Sequence, residues 1–240
     1  MRSIDLHVDV TEAAGLGEPA HVALTVTVPD DVPQNPVVCF AKPGGGYSRR
    51  YYTEDLPGPA SGSQAGWHAA RGWVFVSVDH LGVGDSSQHD PERLSYTPVT
   101  AASQAAEADV LEKMAVGRLV DGLGAIESPL TIGIGQSMGG SLTVVQQGRY
   151  HCYDGIAVLG YSAVHTHPPT APGTPPLVLP WVPRDVLVDP RGEARAYVSA
   201  ASVDLFICPR MGHMHNFAGT RELFWRRIET WADWVRASQD

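Results

Sequence analysis

Apolar and polar residues alternate with a period of two in two N-terminal segments, "IDLHVDV" (4–10) and "HVALTVTV" (21–28). A period of two buries one strand face only, so the pair predicts an antiparallel hairpin. Further along, the apolar runs become continuous: "PVVCFA" (36–41), "GWVFVSVD" (72–79), "LTIGIG" (130–135), "GIAVLG" (155–160), "PLVLPWV" (176–182) and "VDLFICP" (203–209). Strands covered on both faces read this way, as in parallel sheets flanked by helices. Helical stretches fall between them at 100–122, 138–149, 190–201 and 219–237. In the last, Leu223, Trp225 or Arg226, Ile228, Trp231 and Trp234 recur at three- and four-residue steps, which predicts one buried stripe. The alternation predicts a three-layer α/β fold with a mostly parallel sheet of about eight strands.

Composition narrows the class without changing this picture. A chain of 240 residues suits a single domain over 1–240, and 43% hydrophobic with 18% charged residues is a globular balance. The net charge of −9 offers no basic surface for nucleic acid or for an anionic membrane. No apolar run reaches the length of a membrane span, and the N-terminus lacks the apolar block of a signal peptide. Cys39, Cys152 and Cys208 form no CxxC pair and no zinc spacing with histidine. These features predict free thiols, no metal, no cofactor and a soluble cytoplasmic protein.

The stretch "TIGIGQSMGGS" (131–141) sets Ser137 between Gly135 and Gly139, where a buried strand gives way to a helix. A serine hydroxyl is a poor nucleophile at neutral pH unless a base lies within hydrogen-bond reach. A sharp strand-to-helix turn exposes the hydroxyl and aims the helix N-terminus at the reacting carbonyl. Such a turn presses strand and helix together, and side chains two residues before and after the serine would collide. Glycines at 135 and 139 remove that collision.

Four motifs in order resemble the α/β-hydrolase fold family over nearly the whole chain. "CFAKPGGGYSRRYY" (39–52) is similar to the glycine-rich loop after the third strand, and "VDHLGVGDS" (78–86) to the D-x-x-G-x-G-x-S turn after the fourth. "GIGQSMGGS" (133–141) resembles the nucleophile elbow, and "MGH" (211–213) the glycine–histidine turn after the last strand. The resemblance implies a Ser-His-Asp triad of Ser137, His213 and Asp185 in the chain order of that family. It also implies an oxyanion hole from the backbone N–H groups of Met138 and Gly45, with Gly46 the alternative to Gly45.

Several points stay open. Asp189 competes with Asp185 as the acid, because Pro180 interrupts the strand before it. His215 competes with His213 as the base, and Asp79 fits a structural turn better than a triad. The remaining histidines, such as His7, His21 and His151, lack a motif and read mostly as surface residues. Residues 165–176 are too short and Pro-rich for the helical lid many family members insert. Without a lid the site is open, or covered by a second subunit in a homodimer, or by the loop from Gly84 to Thr97. That loop and "YSRRYY" (47–52) are the candidates for substrate contact. Trp67, Tyr51, Tyr52 and Trp181 are candidates for packing against either cover.

The expected activity is serine hydrolysis of a small carboxylic ester, lactone or thioester through an acyl-enzyme. Hydrolysis of a carbon–carbon bond in a β-diketone-like substrate is the alternative within catalysis. A non-catalytic binding protein of the same fold is the alternative outside it.

Overall fold

A computed structural model describes residues 1–162 and 192–239. The N-terminal hairpin forms as its alternation requires: β1 (Arg2–Asp9) and β2 (His21–Val28) pair antiparallel, and α1 (Thr11–Ala14) lies in their connection. β3 (Val37–Lys42) is followed by two short helices, α2 (Arg50–Thr53) and α3 (Gln64–Ala69), then β4 (Val74–Val78). After β4 come α4 (Tyr96–Ala115), β5 (Leu130–Gln136), α5 (Met138–Tyr150), β6 (Gly155–Leu159) and finally α6 (Arg221–Ala237).

Among the described residues the sheet has six strands in the order β1-β2-β4-β3-β5-β6. β3 pairs parallel with both β4 and β5, and β5 pairs parallel with β6. The ends of β3, β4 and β5 therefore share one edge. Alternate residues of β3 face opposite cores. Val38 and Phe40 join β2, α4 and Leu142 of α5 on one side, whereas Val37, Cys39 and Ala41 join α3 and α6 on the other. Layers of helix, sheet and helix result, with β3 and β5 covered on both faces, as continuous apolar runs demand.

The C-terminal third departs from the expected elements. Residues 203–207 are exposed, and 203–208 form no strand, although the run is as apolar as those that do. An apolar run becomes a strand only where a neighbouring edge supplies its hydrogen bonds, and no strand among the described residues pairs with this one. The expected helix 190–201 is a single 3-10 turn, Glu193–Ala196, in its described part. The run 176–182 and the connector 165–176 lie outside the described residues, so six strands stand where about eight were expected.

α6 forms, with its buried face rotated from the expected stripe. Leu223 and Trp234 are each 47% exposed, while Phe224, Trp225, Ile228, Ala232 and Val235 are buried. Arg221, 1% exposed, joins that face because its guanidinium donates to the carbonyls of Leu56, Ala60 and Asn216 and to Asp55. Four hydrogen bonds from its two terminal nitrogens let a charge sit where hydrophobic periodicity places none.

Candidate active site

Ser137 stands between the end of β5 and the start of α5 with φ 53° and ψ −118°, a strained conformation for a residue with a side chain. Its N–H donates to the Leu159 carbonyl of β6 at 2.7 Å, and its carbonyl accepts from Gly140 and Ser141 in the first turn of α5. The hydroxyl makes no capping bond to the helix. A Cβ at Gly135 would overlap the Gly139 carbonyl. One at Gly139 would overlap the Lys42 carbonyl and lie 2.6 Å from that of Pro43. The elbow is thus built by backbone meeting backbone, and the Gly139 contact reaches from α5 to the end of β3.

The glycine loop after β3 lies against this elbow. A Cβ at Gly44 would meet the side chain of Gln136 and come within 3.1 Å of the Ser137 Cβ. Gly44 O accepts from Tyr47 N at 3.2 Å, closing a turn whose Gly46 has φ 81°, a region L residues avoid. A Cβ at Gly45 would contact the Met138 sulfur at 3.9 Å, so the two residues expected as donors adjoin through the Met138 side chain. As the first residue of α5, Met138 has an N–H with no acceptor inside its helix.

Asp79, fully buried, anchors the turn after β4. It accepts from Arg49 N at 2.6 Å and Asp85 N at 2.9 Å, and it pairs with the Arg49 guanidinium. Arg49 also binds Asp85 at 2.8 Å, and this bond holds the Asp85 carboxyl below its ordinary value. Next to Asp79, His80 Nε2–H donates to the Pro43 carbonyl at 2.9 Å, and burial pushes the His80 imidazole down to about 4. His80 is therefore neutral near pH 7 and fastens the start of the glycine loop from below. His68 is also fully buried, although histidines without a motif read mostly as surface residues in the sequence.

A second buried cluster sits beneath the elbow. Lys42 Nζ binds Glu107 of α4 at 2.5 Å and the Tyr153 hydroxyl at 2.6 Å. Gln146 of α5 donates to Glu107 at 2.7 Å. Lys42 is wholly inaccessible, and its carbonyl accepts from the Tyr52 hydroxyl at 2.9 Å. Strand β3 is tied to both helices of that face at the residue preceding the glycine loop.

The histidine turn approaches from the other side. Gln136 Nε2 donates to the His213 carbonyl at 3.0 Å, so the residue before the nucleophile holds the backbone of His213. His213 is half-buried. His215 is 7% exposed with its ring 5.1 Å from that of Phe224 in α6. Asp185 and Asp189 lie outside the described residues, as does Trp181.

Tyr51 and Tyr52 are 2% and 0% exposed, so neither is a substrate contact or a subunit contact. Both are core residues, and only Arg50 of "RRYY" faces solvent. In the loop from Gly84, Ser86 Oγ accepts from Ala23 N at 2.9 Å. His89 and Arg93 bind Glu18 at 2.9 and 3.0 Å. Tyr96, half-exposed at the head of α4, sets its hydroxyl 2.6 Å from that of Ser141 in α5. A cavity of 660 Å3 between β6 and α6 is lined by Val158, Leu159 and Trp231 among others, but not by Ser137.

No protein-family model matches the chain. No curated protein matches it. A solved structure described as a predicted CIB-like hydrolase from Thermoplasma acidophilum superposes over 99% of both chains, with a TM-score of 0.59 and 15% identity. The chain has the α/β-hydrolase fold. A probable hydrolytic enzyme from Pseudomonas aeruginosa PAO1 matches 68% of this chain at a TM-score of 0.50 and 16% identity. This chain spans 43% of that enzyme's length. Within the hydrolase fold, the edge carrying Ser137, the glycine loop and the β4 turn is the edge where strands end and ligands bind in open α/β sheets. Free thiols are found at all three cysteines, and burial pushes the Cys39 thiol far up. Among the described residues no group of three or more His, Cys, Asp or Glu could hold a metal, and no helix is long and apolar enough to cross a membrane.

Sequence reasoning missed Tyr51, Asn216, Arg221, His80 and the Lys42–Glu107 pair. A lysine inside "VVCFAK" and an arginine opening an aromatic-rich helix were the available signals, since charges in apolar runs require partners.

Proposed function

We propose that the chain is a serine hydrolase that cleaves a small carboxylic ester, lactone or thioester through an acyl-enzyme. The observation that carries this reading is the backbone of Ser137. A non-glycine residue at φ 53°, with glycine contacts holding the turn and a hydroxyl that caps nothing, keeps strain that a plain connection would shed.

In this mechanism Ser137 Oγ attacks the carbonyl carbon while its proton passes to the imidazole of His213. The oxyanion accepts from the N–H groups of Met138 and Gly45, fixed backbone donors being the groups that stabilise such a charge. Collapse breaks the bond to the leaving group, which takes the proton from the imidazolium. Water, deprotonated by the same base, then hydrolyses the acyl-enzyme. His213 is preferred to His215 because its backbone is bonded to the residue preceding Ser137, whereas the His215 ring packs on α6. The acid that orients the base is assigned to Asp185 by its order in the chain.

A fluorophosphonate probe tests the reading directly. Wild-type protein is expected to be labelled at Ser137, and Ser137→Ala to lose both labelling and turnover of p-nitrophenyl esters by roughly four orders of magnitude or more. Turnover retained in Ser137→Ala would remove the serine mechanism, and absence of labelling in the wild type would favour a binding role. Within the labelled outcome, a screen of esters, lactones, thioesters and β-diketones identifies the bond cleaved.

A further inference from the structure

Asn216 lies three residues after His213, is 2% exposed, and has each of its polar groups engaged. Its N–H donates to the Tyr51 hydroxyl at 3.0 Å and its Nδ2 to the Tyr51 carbonyl at 3.1 Å. Its side-chain oxygen accepts from Trp225 Nε1 at 2.9 Å and its carbonyl from Arg221 at 2.7 Å. Tyr51 in turn belongs to α2, four residues beyond Tyr47, which closes the glycine turn, and the two rings meet edge to face at 5.6 Å. The Tyr51 ring also packs on Tyr52, whose hydroxyl holds the Lys42 carbonyl at the start of the same loop.

The histidine turn and the glycine loop are 165 positions apart in sequence at this contact, yet a pair of hydrogen bonds joins them through one residue on each side. Among the described residues no strand pairing or glycine contact links the two, in contrast to the elbow. We propose that Tyr51 and Asn216 form a positioning clamp that fixes the His213 turn relative to the oxyanion-hole loop. The clamp rests on the hydrolase reading above. Neither residue touches the reacting atoms; both act through the groups they hold. Displacement of a base by about 1 Å costs on the order of a hundredfold in rate, so small slack at this joint registers in kcat.

Tyr51→Phe removes the hydroxyl that accepts from Asn216 N and keeps the aromatic packing. Asn216→Asp keeps the acceptor for Trp225 and removes the donor to the Tyr51 carbonyl. Each is expected to lower kcat on p-nitrophenyl acetate about tenfold or more with KM changed less than about twofold, because transition-state alignment is lost and ground-state binding is not. Ile228→Val, a core change in α6 outside this network, serves as a control matched for loss of Tm and should leave kcat at the wild-type value. The double variant should lose little more than the worse single one, since both remove parts of one joint. Wild-type kcat in both single variants, or a kcat loss no larger than that of Ile228→Val at equal loss of Tm, overturns the clamp while labelling of Ser137 stands. A wild type that is not labelled by fluorophosphonate overturns the hydrolase reading and the clamp with it.

Discussion

The nucleophile side and the histidine side of this edge are assembled by different means. Around Ser137, Gly135 and Gly139 fit by backbone contact within a few ångströms, and a change of one Cβ is enough to break the fit. The His213 turn is held by side chains, Gln136 and Tyr51 from distant segments and Trp225 and Arg221 from the helix that follows it. Backbone contact leaves a local sequence trace, because only glycine permits it. Side-chain clamping leaves almost none, because many residue types at many distances can supply a donor.

The largest effect is expected at the backbone-built side. Gly139→Ala would drive a methyl group into the carbonyls of Lys42 and Pro43, neither of which is a flexible group that can step aside. Overpacking against fixed backbone costs about 3 kcal/mol or more, and the displaced glycine loop would no longer present its N–H groups. Loss of fluorophosphonate labelling together with a large drop in denaturant midpoint is the expected result. Near-normal labelling would show that the elbow tolerates slack, and the contrast between the two sides would fail.

Next in size is the buried pair under the elbow. Lys42→Met leaves the Glu107 carboxylate buried with donors from Tyr153 and Gln146 but without its cation. Breaking a buried ion pair by removing one partner costs roughly 3–5 kcal/mol. Urea unfolding of Lys42→Met beside Lys42→Met/Glu107→Leu separates the two contributions. The double variant should recover part of the loss, since the stranded charge goes with it.

The same contrast governs what could be read in advance. The hairpin β1–β2, the strands β3 to β6 and helix α5 follow from period and punctuation, and the elbow follows from two glycines around a serine. The turn of Asp79 was legible for a similar reason, because Gly84 must pass close over its carboxylate. Residues 203–208 misled because strand propensity reports what a run could pair with, not whether an edge is there. The buried face of α6 is rotated from the expected stripe and takes in Arg221, which four hydrogen bonds make an interior residue. Asn216 carried no signal and Tyr51 pointed to a surface contact, since their joint role appears only when 51 and 216 are neighbours.

Acid should loosen both sides, through one histidine on each. His80 fastens the glycine loop, and His68 of α3 lies among Trp67, Trp73 and Phe75, behind α6. Burial pushes each imidazole from 6.5 down to about 4. A depressed histidine stays neutral in the fold while the unfolded chain takes up a proton, so this stability is complete above pH 6.5 and falls as pH drops toward 4. Each group contributes at most about 3 kcal/mol across that window. Urea midpoints at pH 7.5 and 5 should therefore differ less in His80→Asn and in His68→Gln than in the wild type. An unchanged pH slope in either variant would mean that the imidazole removed is not held neutral by the fold.

The smallest effect has the opposite sign and comes from the same helix as the largest. Gly148 lies in the last turns of α5, exposed, with open space where a Cβ would go. It carries no positive φ and meets no backbone, so the reason for glycine at 135 and 139 does not extend to it. In a helix interior, alanine is favoured over glycine by about 1 kcal/mol or slightly less, through the lower entropy of the unfolded chain. Gly148→Ala should raise Tm by about 2–4 °C, as expected for a chain of this size, and leave labelling of Ser137 unchanged. Gly139→Ala and Gly148→Ala then make the same chemical change nine residues apart in one helix, and only the first meets the backbone of another element. A stabilising Gly139→Ala, or a Gly148→Ala that destabilises or slows labelling, would show that helix propensity and not close approach decides the glycines of α5.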